Sequence, residues 1–76
     1  MTVEQFKDII RYNEPEFLYK GTVYSICHPC EIFYVYSEKH PEYLDLAFSS
    51  IDDLLNNWMI DGKPFRELLP DTIWEW

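Results

Sequence analysis

Glycine is almost missing from this sequence. Gly21 and Gly62 are the two it has, so there is no Gly-rich loop whose backbone N–H groups could cradle a phosphate. Basic residues are nearly as scarce. Six Lys and Arg face fourteen Asp and Glu, a net charge of −8. That balance excludes direct, nonspecific binding to nucleic acid, which needs Lys and Arg to displace counterions from the phosphates. It equally disfavours an anionic membrane surface. Apolar runs are short, and nothing approaches the roughly 20 apolar residues of a membrane span. The opening "MTVEQFKDII" carries acids and no apolar segment of the signal-peptide kind. Cysteine stops at two, Cys27 and Cys30, too few for a secreted disulfide framework. The expected compartment is a reducing cytoplasm.

Aromatic side chains are what the chain has in quantity: five Phe, six Tyr and three Trp among 76 residues. A chain this short buries only about 60 % of its unfolded surface, but each aromatic can hide roughly 150–250 Å². One domain spanning residues 1–76 is expected. The same surplus leaves aromatic surface for a partner or for a second copy of the chain, a homodimer.

Local patterns give the order of elements. Thr2 and Gln5 have capping-box spacing, and Val3, Phe6, Ile9 and Ile10 share one helical face. This helix should stop near Tyr12 or Asn13, ahead of Pro15. "EFLYKGTVYSIC" predicts a hairpin turning at Lys20-Gly21, and "EIFYVY" a third strand. "YLDLAF" alternates like a fourth, with Leu44, Leu46 and Phe48 inward. Ser49 or Ser50 caps a second helix carrying Ile51, Leu54, Leu55 and Trp58, with Asp52 and Asp53 in its first turn. Asp61-Gly62 breaks the chain, and "PFRELL" forms a short helix that Pro70 ends. The predicted fold class is α+β: an N-terminal helix, a three- to four-stranded antiparallel meander, and two C-terminal helices packed on one face. The expected core includes Phe6, Ile10, Ile26, Leu44, Leu46, Leu54, Leu55 and Leu68.

The stretch closest to chemistry is "SICHPCEIFYVY". A thioredoxin-type C-x-x-C needs its first cysteine at a helix N-terminus, where the thiolate is favoured. Here a strand pattern follows Cys30. A zinc site needs four ligands, and there is no second C-x-x-C. The reading adopted is a turn, with a thiol or metal role through Cys27 and Cys30 as the alternative. No nucleophile elbow is present, no catalytic residue, metal ligand or cofactor is assigned, and the chain is read as non-enzymatic.

Charge supplies the binding hypothesis. Glu42, Asp45, Asp52, Asp53 and Asp61 lie between Lys39 and Lys63 with no base among them, which suits a basic protein partner. Asp52 and Asp53 also serve the helix start, and Asp61 a turn. Trp74 and Trp76 in the tail "WEW" fall on one side if the tail is extended; they join these acids as candidate partner-binding residues, and the tail is expected to dock on its own sheet or, as the alternative, on a partner.

"YKGTVYSI" and "FSSIDDLLNNWMIDGKPFREL" resemble segments of short uncharacterised proteins encoded in phage and mobile-element regions of Gram-positive bacteria. Those share a Y-x-G-x-x-Y-x-I hairpin and an S-[IV]-x-x-L-L-x-N-x-x-[IV]-D-G-K segment. The resemblance covers residues 17 to 69. It implies a scaffold, with Gly21 and Gly62 as turns and Leu54 and Leu55 as core, and carries no active site. The helix–sheet–helix order is also similar to that of small anti-CRISPR inhibitors, in architecture alone. Together these imply a small acidic protein-binding module of phage or mobile-element origin, an inhibitor of a host nucleic-acid-binding protein.

Overall fold

The computed structural model describes residues 1–75. Helix α1, Val3–Tyr12, starts on a complete capping box: Gln5 N–H donates to Thr2 Oγ1 at 3.1 Å, and Thr2 N–H donates to Gln5 Oε1 at 2.9 Å. At its other end Asn13 Nδ2 donates to the Ile9 carbonyl at 3.0 Å. Phe6 and Ile10, one turn apart, are its buried residues.

Strands β1 (Glu16–Tyr19) and β2 (Thr22–Cys27) form the predicted hairpin. Lys20 and Gly21 both take positive φ, 48° and 78°, as a two-residue turn matching the strand twist requires. Strand β3 covers Phe33–Tyr36. It starts later than "EIFYVY" suggests, because Glu31 turns the chain at φ 63°.

The next segment departs from expectation. "YLDLAF" does not form a fourth strand throughout. Residues Pro41–Asp45 make a 3-10 turn, and strand β4 is only Ala47–Phe48. Residues on a 3-10 turn rotate by about a third of a circle, where a strand alternates by half. Tyr43 therefore faces inward, and Leu44, expected in the core, is 65 % exposed. Leu46 is half-buried against the core.

Helix α2, Ile51–Asn57, is capped by Ser50, whose Oγ accepts from Asp53 N–H at 3.0 Å. A second tight hairpin follows, β5 (Met59–Ile60) and β6 (Lys63–Pro64), turning at Asp61 (φ 56°) and Gly62 (φ 76°). Helix α3 (Phe65–Leu68) and a 3-10 turn (Leu69–Asp71) lead into β7, Ile73–Glu75.

The tail docks on its own sheet. β7 pairs antiparallel with β1, giving a five-stranded sheet in the order β4-β3-β2-β1-β7. The architecture is the expected α+β, with one more strand than the meander alone supplies. Rows of the inner face read Trp74–Phe17–Tyr24, Ile26–Val35 and Phe33–Phe48. They meet Phe6, Ile10, Leu54, Leu55, Phe65 and Leu68 from the helices. Trp58, at the C-cap of α2, is wholly buried among them, ring to ring with Phe65 (4.9 Å), Tyr43 (5.8 Å) and Phe17 (5.9 Å).

Candidate partner-binding surface

The acids singled out in the sequence are mostly engaged. Asp53 accepts from Ser49 N–H (2.9 Å), Ser49 Oγ (3.3 Å) and Asn57 Nδ2 (2.6 Å). These bonds, Asn57's first, hold its carboxyl below the usual carboxylate range. Asp52 lies 3.4 Å from Lys7 Nζ, linking α2 to α1. Asp61 pairs with Lys20 Nζ at 2.9 Å, joining the tips of the two tight hairpins. That pair lowers the carboxyl and raises the ammonium, and its exposure makes its stabilisation slight. Glu42 lies 3.1 Å from His40 Nδ1. Its own backbone N–H, then His40, lower its carboxyl. Asp45 is exposed at the end of the 3-10 turn. The interval from Glu42 to Asp61 lacks bases in sequence, but folding brings Lys7 and Lys20 to it. Its acids stand on three elements: Glu42 and Asp45 on the 3-10 turn, Asp52 and Asp53 on α2, and Asp61 on the β5–β6 tip.

Trp74 is half-buried and held by the core, 4.7 Å from the Phe17 ring and 5.6 Å from Phe6. Trp76 lies outside the described residues.

The cysteines lie in the β2–β3 connection. Cys27 ends β2, Cys30 sits in the turn beyond it, and both are free and exposed. β3 follows, with no helix between. Partial burial, then the Glu14 carboxylate, push the Cys27 thiol up, the reverse of what an attacking thiolate needs. Among the described residues no three His, Cys, Asp or Glu side chains gather as a metal site would require. His28, between the cysteines, is a fastener. Its backbone N–H donates to Glu14 Oε2 at 3.1 Å, and its Nε2 lies 3.0 Å from the Asn13 carbonyl. These bonds tie the β2–β3 connection to the segment leaving α1.

His40 has an equally specific setting. Its ring stacks on Tyr43 at 4.8 Å and faces Tyr24 at 6.0 Å. Burial pushes the Tyr43 phenol up to about 12, with the charges of Tyr24 and Glu42 adding to the rise. An unfolded tyrosine titrates near ~10. The folded value is the higher one, so this contribution to stability is complete below pH ~10 and is lost as pH rises toward 12. The urea midpoint should fall over that window, and Tyr43→Phe should flatten the fall. An equal slope in the variant would assign it to other groups.

The surface that sequence reasoning passed over is the sheet's other face. Its rows read Ile73–Leu18–Val23, Glu16–Ser25–Tyr36 and Cys27–Tyr34–Ala47. Ile73 (63 %), Val23 (51 %), Tyr36 (46 %) and Tyr34 (39 %) are open to solvent. A sheet with one solvated face ordinarily alternates apolar with polar. Here the outward positions of β3 are both tyrosine. The signal was present in "FYVY", which is apolar or aromatic at every position.

Compared with protein-family profiles, curated proteins and solved structures, the chain finds no match. Among the described residues, no helix is long and apolar enough to cross a membrane.

Proposed function

We propose that this chain is a non-enzymatic protein-binding module whose contact surface is the outer face of the five-stranded sheet. The observation that carries this reading is the uncovered row structure there, with Tyr34, Tyr36, Val23 and Ile73 exposed on paired strands. Tyrosine is enriched among the few residues that dominate binding energy, because its ring supplies area at little entropic cost. An exposed apolar face rimmed by polar groups is the usual mark of an interaction site.

The partner is basic. A net charge of −8 repels a second copy and draws a cationic protein, speeding its encounter. Glu42, Asp45, Asp52, Asp53 and Asp61 contribute to that field. A host protein that binds nucleic acid suits this chemistry, since its groove presents Lys and Arg. The resemblance to phage and mobile-element proteins favours the same partner class.

The test is affinity capture from the organism that encodes the chain, with wild type and a Tyr34→Ser/Tyr36→Ser double variant side by side. One basic protein should be recovered by wild type, and the variant's affinity should fall at least ~30-fold, as expected when two interface tyrosines are lost. Exposed positions tolerate such changes, so the variant should keep its melting transition. A folded variant that captures the same protein equally well would remove the outer face from the interface. Recovery of the chain alone would favour self-association.

A further inference from the structure

We infer that the outer face carries a seat for an arginine side chain of the partner, centred on Ser25. This rests on the protein-binding reading above. Ser25 is a small residue in a row of larger ones, flanked in register by Glu16 on β1 and Tyr36 on β3. The result is a hollow of about 330 Å³ lined by Glu16, Val23, Tyr36, Glu38 and Lys39. A second hollow of about 260 Å³ continues from Glu16 and Val23 to Leu18.

Two features of the hollow ask for a cation. Glu16 and Glu38 make no ion pair or hydrogen bond with the side chains of the described residues, in contrast to the engaged acids on the other elements. Ser37, 1 % exposed, borders the same hollow with a hydroxyl that no described residue hydrogen-bonds. A buried polar group without a partner is the exception in folded proteins.

The shape selects arginine over lysine. A guanidinium is planar, stacks on an aromatic ring and presents a fork of donors to a carboxylate. Tyr36 supplies the ring, Glu16 and Glu38 the acceptors, and Val23 and Leu18 an apolar bed for the methylene stem. Lysine would gain the charge attraction without the stacking or the fork.

The experiment uses the full chain, labelled with nitrogen-15 and titrated with acetyl-Gly-Arg-Gly-amide. The same peptide with lysine, and with neutral citrulline, serves for comparison. Saturable shifts are expected at the amides of Ser25, Tyr36 and Glu38. Affinity for the arginine peptide should exceed that for lysine by about fivefold, and citrulline should give no saturation. Glu16→Gln/Glu38→Gln should weaken arginine binding by at least about tenfold while the spectrum stays dispersed. Equal response to arginine and lysine, shifts spread over Asp45 and Asp52 instead, or an unchanged double variant would each overturn the seat. A failed titration alongside capture that still depends on Tyr34 and Tyr36 overturns the arginine seat alone. Capture indifferent to those tyrosines overturns the reading beneath it.

Discussion

Phe17→Ala should destabilise the fold by about 3–5 kcal/mol. Phe17 packs against four other rings: Trp74 at 4.7 Å, Tyr24 at 5.2 Å, Phe65 at 5.3 Å and Trp58 at 5.9 Å. Removing it deletes its own buried area and leaves a cavity facing four aromatics that cannot all move in. Each lost ring pair adds about 0.5–1.5 kcal/mol beyond area alone, although these losses overlap and do not sum. Domains hold roughly 0.05–0.15 kcal/mol of stability per residue, so in a chain of 76 residues this one change removes a large share. Val23→Ala, on the open face of the neighbouring strand, should stay within about 0.5 kcal/mol. Urea melts of both decide the matter. A Phe17→Ala loss below about 1 kcal/mol would mean that the inner rows are wrongly placed.

Trp74→Ala should cost about 3 kcal/mol and act locally before it acts globally. The indole touches Phe17, Phe6 and Phe65. Its N–H donates to Thr72 Oγ1, and that hydroxyl donates on to the Leu69 carbonyl at 2.7 Å. The ring is the anchor of a three-residue edge strand, which a short ladder alone does not hold. Without it, the amides of β1 that face β7 should lose protection from hydrogen exchange, while those between β2 and β3 keep theirs. Trp74→Phe should restore much of the protection by refilling the inner face. Unchanged exchange in Trp74→Ala would show that β7 is held by its backbone pairing.

What could be read from the sequence was decided within a few residues. Thr2 and Gln5 are three apart and so are Ser50 and Asp53, so both helix starts were visible. Lys20-Gly21 announced its turn because few residue pairs accept two positive φ values in succession. "YLDLAF" misled because its apolar spacing fits an inward strand as well as a 3-10 turn entered through Pro41, and only packing around Tyr43 separates the two. That the tail would dock on the sheet was expected, but which strand β7 would join was out of reach for another reason. Its partner Phe17 stands 57 positions before Trp74 (74 − 17), and no local pattern records that distance. The same holds for the acids. Asp52 and Asp61 find Lys7 and Lys20 across 45 and 41 positions (52 − 7 and 61 − 20). The outer sheet face was half visible: its residues could be listed, but which rows they form depends on register.

A strand that is apolar or aromatic on both sides, as β3 is, has a weak memory for its own alignment. Slipping an ordinary strand by one residue turns its hydrophobic side to water and is heavily penalised. Slipping β3 would exchange Tyr34 and Tyr36 for Phe33 and Val35, a trade of apolar for apolar. Alignment must then be enforced at the ends of the strands: by Lys20-Gly21 between β1 and β2, and by the left-handed Glu31 and the His28 fastening between β2 and β3. The β1–β2 turn only borders the proposed contact surface, at Gly21, yet both connections determine which side chains that surface presents. A change in a turn would therefore alter the pattern of that surface without altering the strand residues that compose it.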